Sequence, residues 1–152
     1  MLFERLGRGA THTSTILRSL SRAEARSLLR RMVAFSRSLP ARFNQPLPQM
    51  MARLTPPPAA PTLSPDEIRR LADAVAAWHW RSPLGICLRR SLLRYYFLRQ
   101  AGLPVRIVFG ARLKPEAEGG GIGGHAWLTL AGEPYYERPG DYQGFVQMYT
   151  YP

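Results

Sequence analysis

The chain has 152 residues, 45% of them apolar, and one cysteine. That is enough for one compact domain and hardly for two, and it rules out a disulfide within the chain. Net charge is +11, with +8 on residues 1–63 and +3 on residues 64–152. No apolar run approaches the ~20 residues that a helical membrane span needs. Basic charge alone is weak ground for nucleic-acid binding. The expectation is a cytoplasmic protein with neither a nucleic-acid partner nor a membrane span. The first fifty residues share the Arg- and Ser-rich, acid-poor composition of an organelle transit peptide, and this reads as coincidence.

Ser21 and Glu24 have capping-box spacing, and residues 22–39 follow as a helix with Ala25, Leu28, Met32 and Phe35 on one face. Pro40 is expected to stop it. Residues 40–63 hold seven prolines, and residues 55–61 read as a linker or an extended surface segment. Ser64, Pro65 and Glu67 open a second helix, with Ile68, Leu71, Val75 and Trp78 along one face, ending near Trp80. A third starts around Cys87 and runs to residue 100 or 101. Gly102 and Pro104 form its exit.

From there the period changes to two. Val105, Ile107 and Phe109 alternate as a strand, residues 114–124 form a glycine-rich loop, and His125 opens a second strand over residues 125–129. In that strand His125, Trp127 and Thr129 share one face, Ala126 and Leu128 the other. Leu130, Ala131 and Gly132 are read as a three-residue hairpin loop. Residues 133–137 would return, and residues 145–151 make a further strand. Helices followed by a short antiparallel sheet make an α+β fold. Residues 1–63 read as a basic helical extension with a Pro-rich linker, packed on the same domain as a core of residues 64–152.

Cys87 at a helix start meets unpaired backbone N–H groups and the positive end of the helix dipole, which favour a thiolate and could hold an oxyanion. The bland alternative is a small buried hydrophobe. His125, next to five glycines in the preceding loop, could take the thiol proton and pass it to a leaving amine. If the hairpin loop has three residues, Thr129 pairs with Glu133 and His125 faces Glu137, close enough for the carboxylate to orient the imidazole. A two-residue loop would turn Glu137 to the other face. His79, between two tryptophans, reads as structural, and His12 lies in a basic segment. The spacings of a zinc site or a phosphate-binding loop are absent.

Cys87-Leu88-Arg89-Arg90-Ser91-Leu92, then residues 100–105, Phe109-Gly110-Ala111-Arg112 and His125-Ala126-Trp127-Leu128, resemble the lasso-peptide leader peptidases, the transglutaminase-like B proteins of lasso-peptide biosynthesis. The resemblance covers residues 87–137 and extends more weakly back to about Ser21. It implies a papain- or transglutaminase-like fold and a Cys-His-Asp triad that cuts the leader from a ribosomally made precursor in a bacterial cytoplasm. Cys87 then falls on the nucleophile, His125 on the base and Glu137 on the acid. Glu137 departs from the usual Asp, and Asp141 is the fallback. No cofactor is implied for this chain. The resemblance also implies a separate precursor-recognition protein and an asparagine-synthetase-like cyclase that uses ATP. Two other readings remain: a transglutaminase-like transamidase or hydrolase of another modified peptide, and a non-catalytic basic scaffold.

Overall fold

The computed structural model describes residues 22–61, 63–79 and 81–152. Four helices, α1 (Ala23–Arg42), α2 (Leu47–Leu54), α3 (Pro65–Trp78) and α4 (Ile86–Gln100), precede the strands β1 (Arg106–Leu113), β2 (Ile122–Leu130) and β3 (Glu133–Pro134). A four-residue helix α5 (Pro139–Tyr142) and strand β4 (Val146–Tyr151) complete the fold. The sheet order is β3-β2-β1-β4, with every pair antiparallel. This is the expected mixed α+β arrangement.

α3 starts where its capping box puts it. Ser64 Oγ accepts the Glu67 N–H, and the Glu67 carboxylate accepts the Ser64 N–H. Its buried face carries Ile68, Leu71 and Val75, but Trp78 is 59% exposed, contrary to the expected pattern. The capping residue Ser21 lies outside the described residues; the N-cap of α1 is Arg22, which makes no side-chain capping bond. Pro40 does not stop α1, which runs through it to Arg42. In the last turn a proline removes only one backbone bond, and Leu39 is held fully buried there. α2 was not anticipated. Its prolines occupy the N-cap and the first turn, where no intrahelical acceptor needs their missing N–H. Met50, Met51 and Leu54 are completely or almost completely buried. Residues 55–61 have no regular secondary structure and are tied by the Ala59 N–H to the Gln100 carbonyl.

α4 is the central element. It packs on α1 and α3 and on β1 and β2, so its buried residues, including Leu92, Leu93, Tyr95, Phe97 and Leu98, lie on several sides. One apolar core runs from Ala25 and Met32 of α1 through Met50 and Val75 to Ile107 and Leu128 of the sheet. Gly102 ends α4 with φ of 85°, the left-handed cap expected.

The β2–β3 turn differs from expectation. Leu130 pairs with Glu133 and Thr129 with Pro134, so the loop has two residues, Ala131 (φ 53°) and Gly132 (φ 89°). Both central residues are left-handed, as the tight turn that matches strand twist requires. β3 stops after Pro134, and Tyr136 (φ 53°) turns the chain away. Glu137 is therefore not a strand partner of His125. β2 also begins three residues earlier than expected, so His125 lies inside the strand, opposite Gly110 of β1.

Candidate active site

Cys87 is the second residue of α4 and is half-buried. The first intrahelical bond of α4 runs from the Arg89 N–H to the Gly85 carbonyl. The N–H groups of Ile86, Cys87 and Leu88 therefore face the helix N-terminus without an intrahelical acceptor. The segment before Cys87 is fixed by Arg89, whose side chain is buried. It donates to the Leu84 carbonyl at 2.6 Å and to the Ala76 carbonyl of α3 at 2.9 Å. Burial pushes the Arg89 guanidinium down, and negative charge on Cys87 acts in the opposite sense. The guanidinium and a thiolate would thus support each other.

One turn beyond Cys87, Ser91 is buried and donates to the Ala126 carbonyl at 2.7 Å, tying α4 to β2 beside His125. Another turn on, the Tyr95 hydroxyl donates to the Pro152 carbonyl, and its ring meets Tyr151. Tyr151 pairs with Ile107, which pairs with Leu128. α4 thus lies along the sheet with Ser91 at Ala126 of β2 and Tyr95 at the end of β4. A Cβ at Gly124 would meet nothing within 4 Å, so the approach there is open.

The His125 imidazole lies among aromatic rings, 5.7 Å from Trp127 and 5.2 Å from Phe145, while Tyr142 stacks on Trp127. Gly110 makes room for this layer: a Cβ there would sit 2.7 Å from the Trp127 ring. His125 Nε2 is buried and has no hydrogen-bond partner, and among the described residues no bond joins His125 to Cys87 or to Glu137. Burial, then Arg90, push the imidazole below its ordinary value, and Asp141 acts against them. Burial thus favours the neutral ring, the form a base needs.

Glu137 is held elsewhere. Its carboxylate is 1% exposed and accepts from Arg90 at 2.8 Å and from Arg94 at 3.2 Å. Arg94 also grips Asp73 of α3 through Nε at 2.6 Å and Nη2 at 2.8 Å, and Asp73 and Asp66 both engage Arg69. The Arg69 guanidinium lies 4.0 Å over the Tyr136 ring. Burial raises the Glu137 carboxyl, and the two arginines pull it back. Asp141, in α5, is exposed.

The sequence reading missed Arg89, Ser91 and the Arg90–Glu137–Arg94 clamp. One signal was present, since Arg90 and Arg94 stand four apart and share a helix face with Cys87 three and seven residues before them. His79 donates to or accepts from Ser36 Oγ at 2.8 Å, joining α3 to α1. His12 lies outside the described residues. Among those residues, no group of three or more His, Cys, Asp or Glu is arranged to hold a metal ion, and no helix is long and apolar enough to cross a membrane.

The family model of the transglutaminase-like superfamily matches residues 29–150, and the chain belongs to that superfamily. No curated protein and no solved structure matches the chain.

Proposed function

We propose that this transglutaminase-like protein is a cysteine peptidase that removes the leader from a ribosomally made precursor peptide. The observation that supports the reading is the Ser91–Ala126 bond, which ties the helix that begins at Cys87 to the strand that carries His125. In the reaction His125 takes the Cys87 proton as sulfur attacks the scissile carbonyl. Free N–H groups at the start of α4 stabilise the oxyanion. Collapse expels the amine, which takes the proton from His125, and leaves a thioester. Water, deprotonated by His125, then releases the acid and regenerates the thiol. Catalytic hydrogen bonds are often long before substrate binds, and the unpartnered Nε2 is the atom left for this closure.

Of the two candidate acids, Asp141 is the better reading. Its charge favours the His125 imidazolium, and Phe145 and Tyr142, on the same segment, cover His125 and Trp127. Glu137 is occupied by arginines. The partners proposed are a separate precursor-recognition protein and an ATP-using asparagine-synthetase-like cyclase. The test is cleavage of the precursor by the purified protein with its recognition protein, followed by mass spectrometry. Cleavage that Cys87→Ala abolishes supports the reading. Full cleavage by that variant sinks it.

A further inference from the structure

Two adjoining cavities, of about 300 Å³ and 350 Å³, share Ser82 and Pro83. The first is bounded by Arg37 of α1, by Trp78 and His79 at the end of α3, and by Arg81. The second is bounded by Gly85, Ile86 and Arg89, so it reaches the residue before Cys87. Trp78 and Ile86 are 59% and 56% exposed, large apolar side chains left in solvent at the two cavities. Among the described residues no Asp or Glu lines either cavity. The field there is positive: after burial, Arg37 and Arg89 are what push the His79 imidazole down. Ser36, almost wholly buried, holds that ring in place through Oγ. An exposed tryptophan beside arginines is the composition of a binding hot spot.

We propose that these cavities are a substrate subsite for an acidic peptide segment. A carboxylate side chain lies toward Arg37, its apolar neighbours cover Trp78 and Ile86, and the chain continues past Gly85 to Cys87. This rests on the peptidase reading and adds to it the chemistry of the substrate. Volumes of this size suit a few residues of extended peptide.

The experiment uses the Cys87→Ala protein, so that nothing is turned over, and a short fluorescein-labelled peptide of alternating Glu and Leu, read by anisotropy at low salt. The peptide should bind about tenfold tighter than its Gln/Leu counterpart. Arg37→Glu and Trp78→Ala, both at exposed positions, should each weaken it about tenfold. Arg30→Glu, on the same helix outside the cavities, should change it less than about twofold. Equal loss in Arg30→Glu, or equally tight binding of an oligonucleotide of the same charge, makes the surface a general polyanion binder and overturns the proposal. In the wild-type protein the saturating Glu/Leu peptide should slow iodoacetamide labelling of Cys87 several-fold. Unchanged labelling overturns the connection to the thiol. If binding and protection follow the expected pattern while precursor is never cleaved, the subsite stands and the peptidase reading fails.

Discussion

Arg90 and Asp141 pull the His125 imidazole in opposite directions, the arginine toward the neutral ring and the aspartate toward imidazolium, with burial the largest influence. A histidine depressed below about 6.5 is neutral at pH 7 and gains its proton only in more acid solution. Arg90→Gln should raise the value toward 6.5 by deleting the cation. Asp141→Asn should lower it further. Glu137→Gln should move it less than either, because Glu137 is not among the groups that shift it. An NMR titration of the imidazole measures all three, and opposite signs for the first two are the expected outcome. Activity separates the acids again. Asp141→Asn should lose on the order of 10–10³ in cleavage rate, less than the ~10⁴ of a serine-protease triad, because a thiolate leans less on its base. Glu137→Gln should lower stability by about 2–4 kcal/mol in denaturant unfolding, since it removes the buried charge that pairs with Arg90 and Arg94 and leaves Arg90 without a carboxylate. A rate defect in Glu137→Gln larger than in Asp141→Asn, at full folding, would restore Glu137 as the acid.

At the scale of elements, β1 and β2 hold His125 through a close approach that only glycine permits. A Cβ at Gly110 would meet the Trp127 ring at 2.7 Å and 2.8 Å and Phe145 Cβ at 3.1 Å. Gly110→Ala should lower stability by about 1–3 kcal/mol. It should also reduce cleavage, because the displaced Trp127 carries the His125 ring with it. Unchanged melting and activity would show that the aromatic layer yields freely. α3, β1 and β2 were legible because each has one dominant pattern, and α4 because Gly102 and Pro104 mark its exit. α2 was hidden by Pro46 and Pro48, whose tolerance at a helix start is visible only once the start is known. The hairpin failed on one residue: Leu130 is strand, not loop, and that slip reverses which face every later side chain occupies. The positions of Cys87 and His125 in a helix start and a strand were readable locally. The clamp that claims Glu137 was not, because Asp73, Arg94 and Glu137 are brought together only by tertiary packing.

Charge at the scale of the whole molecule is lopsided, +8 of the net +11 lying on residues 1–63, and the proposed subsite borrows Arg37 from that part. An acidic segment held there by a few exposed charges binds weakly, since each such pair is worth about 0.2–1 kcal/mol and is screened by salt. The proposed recognition protein would supply what is missing. By holding the leader and docking beside the enzyme, it turns the encounter of the cleavage site with Cys87 into a nearly intramolecular one, at an effective concentration in the millimolar range for a short flexible connection. The enzyme should therefore cut its precursor slowly alone, and adding the recognition protein should lower KM strongly while changing kcat little, because no catalytic group is added. Raising salt should weaken cleavage by the enzyme alone more than cleavage by the pair, since only the unassisted reaction depends wholly on surface charge. Steady-state rates at two salt concentrations, with and without the partner, measure this. A partner that raised kcat and left KM unchanged would instead be acting on the geometry of Cys87 and His125, and the division into recognition and chemistry would have to be abandoned.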